Sequence, residues 1–139
     1  MRRPIGFLAV ALAAVAVSAG ACDDNNSPTV PTNPTPPPTV TETFTGTVNP
    51  NGAVTHPFTT ESAGTVTATL VSLNPNVRIG VAIGTWNGIA CKIEIAADGA
   101  QQGVTVTGTA SAQGAFCARV YDVGSLTENA SYELSVTHP

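Results

Sequence analysis

From residue 42 to its end the chain alternates apolar or β-branched residues with threonine at every second position, and turn residues interrupt the alternation every eight to twelve positions. Residues two apart share one face of a strand, so the pattern describes short half-buried strands and does not fit the 3.6-residue repeat of a helix. Phe44, Gly46 and Val48 share a face before the turn Asn49-Pro50-Asn51-Gly52, and Val54, His56 and Phe58 share a face of the next strand. Val66, Ala68 and Leu70 alternate with Thr65, Thr67 and Thr69. Beyond the Asn74-Pro75-Asn76 break, Val77, Ile79, Val81 and Ile83 form an apolar face. Its other side carries Gly80, Ala82 and Gly84, small enough to lie beneath another segment. Asn87-Gly88 reads as a hairpin turn with positive φ at both central residues. After it Ile89, Cys91, Ile93 and Ile95 point one way and Lys92 and Glu94 the other; residues 98–102 read as a loop. Val104 with Val106, then Phe116 to Asp122, then Tyr132, Leu134 and Val136 supply the remaining strands. About eight strands over residues 42–139 predict an all-β fold, an antiparallel β-sandwich of jelly-roll type.

Residues 1–21 carry Arg2 and Arg3, an apolar run from Ile5 to Val17, and the small residues Ser18, Ala19, Gly20 and Ala21. A run this short ending in small residues reads as a secretory signal peptide. Cys22 comes directly after it, and Ala19-Gly20-Ala21-Cys22 resembles a bacterial lipobox, in which the cysteine thiol becomes the acyl acceptor; Ala19 stands where that pattern usually has a large aliphatic residue. Ala19-Gly20-Ala21 also reads as an A-x-A site for ordinary signal peptidase, which would leave Cys22 free on a secreted protein. The composition of the next twenty residues and the parity of the cysteines favour lipidation of Cys22. Residues 22–41 are rich in Pro and Thr with no aromatic residue, the composition of a tether. Stiffened towards polyproline II at about 3.1 Å per residue, it reaches on the order of 60 Å. The expected location is the bacterial cell envelope, membrane-anchored and facing the periplasm or the cell surface, with secretion as the alternative.

Cys91 and Cys117 are an even pair in an exported domain, so a disulfide is expected, and Cys22 is then the leftover cysteine of the 3. Strand parity conflicts with this pairing. If Phe116, Ala118 and Val120 face the core, Cys117 faces away with Arg119 and Tyr121, whereas Cys91 reads as core-facing. Either a bulge shifts one strand or the bridge lies at an edge.

Without Arg2 and Arg3 the chain keeps 3 Lys+Arg against 9 Asp+Glu. That balance excludes a basic nucleic-acid footprint. Hydrolysis needs a near-neutral base held beside a nucleophile or metal. The candidates are His56, read as a packed or capping histidine, and His138, whose place next to the end of the chain suits fixed geometry poorly. No H-E-x-x-H, G-x-S-x-G or glycine-rich phosphate loop occurs. Cys91, Cys117, His56 and His138 lack zinc-ligand spacing. Asp98, Asp122 and Glu128 lack a calcium-loop register and read as solvated. No catalytic residue, metal or cofactor is therefore expected, and the chain reads as a non-enzyme. Trp86, in Thr85-Trp86-Asn87-Gly88, either stacks on a sugar ring or folds back over the sandwich edge as a lid, the favoured reading. Arg119 is expected to pair with Asp122 or Glu133.

His56-Pro57-Phe58, the strand start Ala63-Gly64-Thr65-Val66, the segment Gly114-Ala115-Phe116-Cys117-Ala118-Arg119-Val120-Tyr121-Asp122 and the closing Tyr132-Glu133-Leu134-Ser135-Val136-Thr137 carry a resemblance. The stretch from about Phe44 to Pro139 resembles a bacterial pre-peptidase C-terminal (PPC-like) β-sandwich. Such domains usually accompany secreted peptidases and are not themselves catalytic. The resemblance implies a non-enzymatic envelope lipoprotein whose sandwich binds a protein or glycan partner, with the membrane engaged through the lipid on Cys22. The alternatives are a secreted carbohydrate-binding module with Trp86 as platform, or a structural subunit that self-associates through Thr/Val-rich edge strands.

Overall fold

The computed structural model describes residues 33–139. The signal-peptide reading and Cys22 lie outside the described residues. The alternating pattern resolves into eight strands: β1 (Val40–Val48), β2 (Ala53–Thr60), β3 (Gly64–Asn74), β4 (Ile79–Trp86), β5 (Cys91–Ala100), β6 (Thr105–Ala110), β7 (Gly114–Tyr121) and β8 (Ala130–His138). β1 takes in Val40 and Thr41, two residues ahead of the expected boundary, because they pair with His138 and Thr137 of β8.

Two four-stranded antiparallel sheets result, ordered β1-β8-β3-β6 and β2-β7-β4-β5. Except at the β4–β5 hairpin the chain passes from one sheet to the other at each step, which is the jelly-roll order. Between the sheets lie Val66, Ala68 and Leu70 of β3, Ile79, Val81 and Ile83 of β4, Ala118 and Val120 of β7, and Leu134 and Val136 of β8, all buried. Leu70 sits opposite Leu134, and both are fully buried. Truncating a buried leucine to alanine typically costs about 2–5 kcal/mol, so this pair anchors the centre of the first sheet.

Period two alone cannot bury both Leu70 and Leu73, which stand three apart. The β3–β8 register shifts between Leu70 and Ser72, and Val71 is left exposed as the extra residue. The bulge thereby returns Leu73 to the core side, where it is 4% exposed.

Thr65, Thr67 and Thr69 of β3 lie opposite Thr109, Thr107 and Thr105 of β6. The Oγ1 atoms of Thr69 and Thr105 are 2.8 Å apart, as are those of Thr41 and Thr137. Cross-strand threonine pairs of this kind stabilise a solvated sheet face, which accounts for the threonine in the alternation.

The β4–β5 turn departs from the expected geometry. Gly88 alone has positive φ (93°), and the Asn87 Oδ1 accepts from the amides of Ile89 (2.9 Å) and Ala90 (2.8 Å). An asparagine side chain that replaces backbone turn bonds removes the need for a left-handed conformation at Asn87. Asp98, Gly99 and Ala100, expected in a loop, belong to β5, since Ala100 pairs with Ile79.

Candidate functional site

β4 is buried on both faces from Ile79 to Gly84. Its inner residues face the core; its outer residues are Gly80, Ala82 and Gly84, and two connections from β7 to β5 cross over them. At one end the Tyr121 ring covers Gly80 so closely that a Cβ there would come within 2.6 Å of Tyr121 Cδ2. The Tyr121 hydroxyl donates to the Asp98 Oδ1 on β5. Burial foremost, and then this carboxylate, push the phenol up to about 12.

At the other end Cys117 of β7 and Cys91 of β5 form a disulfide with a Cα–Cα distance of 5.8 Å. Strands on either side of a third lie about 9.5 Å apart in a regular sheet, so β5 must lift over β4 to close this bond. It does so at Gly84, where a Cβ would overlap the Lys92 carbonyl oxygen and lie 2.9 Å from Ile93 Cα. The β4–β5 register breaks at this place: Ile83 pairs with Ile95 and Gly84 with Ile93, leaving Glu94 as the extra residue. The bulge resolves the parity conflict between the cysteines. It also corrects the expectation that Ile93 and Ile95 point the same way: Ile95 turns with Ile83 towards the gap between the sheets, and Ile93 sits over Gly84.

Arg119 lies between the two crossings, opposite Ala82 on one side and Thr55 on the other. Neither expected partner holds it. Among the described residues Lys92 is ion-paired with Glu94, the His138 ring is in hydrogen-bond contact with Glu42, and the Arg119 Nε is buried with no hydrogen-bond partner. Asp122 is engaged elsewhere: its Oδ2 accepts from the Asn51 amide (2.8 Å) and its Oδ1 from the amides of Gly124 (2.9 Å), Ser125 (2.9 Å) and Leu126 (3.1 Å). Trp86 ends β4 opposite Cys91 and is half-buried, yet it is not among the side chains packed on the core.

The four amides, Asn51 foremost, hold the Asp122 carboxyl below its ordinary value. Because the folded value is the lower one, this stabilisation is complete above the ordinary carboxylate range and is lost as the pH falls through the folded value. Asp122→Ala is expected to lower the melting temperature at neutral pH, with the gap to the wild type closing in acid. A gap that is constant with pH would refute this role.

His56 is half-buried, stacked on Phe44 with ring centroids 4.7 Å apart, and its Nε2 is 2.7 Å from the Tyr132 hydroxyl. Burial lowers its pKa, so the ring is neutral at neutral pH. His138, expected to be poorly fixed, is 3% exposed: Nε2 is 2.9 Å from the Glu42 Oε1, and the ring stacks on Phe58 at 5.0 Å. The reason is that β8 runs through His138 and pairs it with Val40. Neither ring is hydrogen-bonded to a serine, threonine or cysteine.

Asp98 is engaged by Tyr121, Asp122 by loop amides, and Glu128 stands exposed. No group of three or more His, Cys, Asp or Glu is placed to hold a metal among the described residues. At the side of the sandwich where the β5 and β6 edges meet, a groove of about 310 Å³ is lined by Val66, Ile83, Ile95 and Phe116 with Glu94 on its rim.

No family model matches the chain, and no curated protein matches it either.

Sequence reasoning singled out Trp86 and the cysteines but missed Arg119 as a group without a partner. The signal available was the run Gly80-x-Ala82-x-Gly84, which marks a face that something must cover; which side chains do so depends on a register that the sequence does not print.

Proposed function

We propose that this protein is a non-enzymatic envelope lipoprotein, tethered through Cys22, whose PPC-like jelly-roll domain binds a partner. The observation that carries the reading is the division of labour among the 3 cysteines: Cys91 and Cys117 are joined, and Cys22 is left directly after Ala19-Gly20-Ala21 and ahead of a Pro/Thr run. Acylated at Cys22, the chain would hold its domain on the order of 60 Å from a bilayer. The groups that could serve acid–base chemistry are engaged in structural contacts, His56 with Tyr132 and His138 with Glu42.

Cys22→Ser is expected to move the protein from the membrane fraction of its native host to the soluble fraction. Mass spectrometry of the wild-type N-terminal peptide should show a diacylated or triacylated Cys22. An unmodified Cys22 on a soluble wild-type protein would replace this reading with the secreted one.

A second reading, carbohydrate binding, is favoured by Trp86. A half-buried tryptophan that does not serve the core leaves ring surface for stacking on a sugar.

A further inference from the structure

We propose that two copies of this chain pair edge to edge through β5, antiparallel, about a two-fold axis that passes beside Ile93. This names a partner for the domain and rests on the reading that the domain binds one. β5 ends the second sheet, with β4 on one side and no strand on the other. The direction of its backbone groups follows from the hairpin. The Asn87 amide donates to the Ala90 carbonyl at 3.3 Å, so these two residues are a hydrogen-bonded pair, and such pairs alternate with non-hydrogen-bonded ones along an antiparallel ladder. Trp86 opposite Cys91 and Gly84 opposite Ile93 are then non-hydrogen-bonded pairs, with Thr85 opposite Lys92 between them. The N–H and C=O of Cys91 and Ile93 therefore point away from β4, into the open edge. Unpaired backbone of this kind is a template for another strand.

The other edges are less able to take one. β2 carries Pro57, which has no N–H to offer a new neighbour. β1 meets β2 across the opposite side of the sandwich through the Phe44–His56 stack, and residues 33–39 lead into β1 there. β6 is only 6 residues long. Apolar surface gathers instead at β5: of the large apolar side chains exposed among the described residues, Ile89, Ile93 and Ile95 stand on β5 or in the turn before it.

Charge decides the occupant. An edge charged with one sign repels its own copy, because like charges opposite one another destabilise a strand pair. β5 instead carries Lys92 and Glu94, one on each side of Ile93, with side chains 79% and 52% exposed. In an antiparallel pair centred on Ile93, Lys92 stands opposite Glu94 of the second copy, and Glu94 opposite its Lys92. The contact occurs twice by symmetry. Each copy keeps its own Lys92–Glu94 pair at 3.2 Å, since the four charges alternate in sign around the axis. Lys92 and Glu94 fall at the non-hydrogen-bonded positions of the new ladder, where side chains come closest. Ile93, 40% exposed, meets its counterpart on the axis and exchanges both backbone hydrogen bonds with it. A contact of so few residues lies at the weak end of specific interfaces, so the equilibrium is read at high protein concentration.

The test measures the mass of the full chain in mild detergent by sedimentation equilibrium, at concentrations up to the millimolar range. The wild type should pass from monomer to dimer. Lys92→Glu makes this part of the edge wholly acidic and Glu94→Lys makes it wholly basic. Each alone should weaken the dimer about tenfold or more, because two attractive pairs become two repulsive ones. Mixed in equal amounts, the two variants should associate again as a heterodimer, and both substitutions in one chain should restore the homodimer. Melting temperatures close to that of the wild type are expected for changes at exposed charges and check that each variant folds. A wild type that stays monomeric throughout would overturn the inference and leave a different partner for the domain standing. A dimer that neither variant weakens, or that both weaken without recovery on mixing, would place the contact elsewhere and overturn it as well.

Discussion

Gly84→Ala is expected to destabilise the domain by about 3 kcal/mol or more, the upper end of what overpacking costs. The added methyl would overlap the Lys92 carbonyl oxygen and stand 2.7 Å from the carbon that bears it. Those atoms are backbone, so no side-chain rotation relieves the clash; β5 itself must move. Moving it draws Cys91 away from Cys117, which now lie 5.8 Å apart at Cα. The substitution should therefore lower the urea midpoint and raise the fraction of chains with free thiols together. Gly108→Ala is the control. Its added Cβ would meet only the Ile95 Cγ2, at 3.6 Å, an ordinary contact, so its midpoint should stay near that of the wild type. A Gly84→Ala midpoint equal to that of Gly108→Ala would show that β5 does not cross closely over β4 at this residue.

The alternation that opens the domain was enough to place eight strands and two sheets, because a face buried on one side leaves a period of two in the sequence. It also marked Gly80, Ala82 and Gly84 as a face that another segment covers. What it could not carry was the parity of β5. The sequence writes Cys91, Lys92, Ile93, Glu94 and Ile95 as five consecutive positions, and nothing in their identities says that Glu94 is skipped in the ladder. One skipped residue decides whether Cys91 reaches Cys117, whether Ile95 lines the groove, and which strand end Trp86 accompanies. The same limit applies to Val71 in β3, where two buried leucines three apart are the only hint of a bulge. Arg119 illustrates a second limit. Local sequence offers Asp122 as its natural partner three residues on. The Asp122 carboxylate, however, lies just beyond the end of β7 and accepts from four loop amides. His138 shows the reverse: proximity to the chain end says little where the final strand is paired along its length.

Removing the disulfide by Cys91→Ala with Cys117→Ala is expected to cost about 3–4 kcal/mol, the chain-entropy value for a closed loop of this size, the cysteines being 26 residues apart. Against the roughly 5–15 kcal/mol that holds a typical domain together, that is a large share. The loss should be uneven. β4 keeps its ladder with β7 and its inner contacts through Ile79, Val81 and Ile83. β5 is an edge strand, exposed at Lys92, Ile93 and Glu94, and the bridge is the covalent link that holds its first residues over Gly84. Hydrogen exchange should thus show early opening at Lys92 and Ile93 while Val81 and Ile83 stay protected up to global unfolding. Exchange that rises equally in β4 and β5 would mean that the bridge supports the sandwich as a whole. The distinction bears on binding because Trp86 stands opposite Cys91. If the bridge sets the local geometry of the hairpin, its loss should weaken polysaccharide binding through Trp86 under conditions where the rest of the fold is intact.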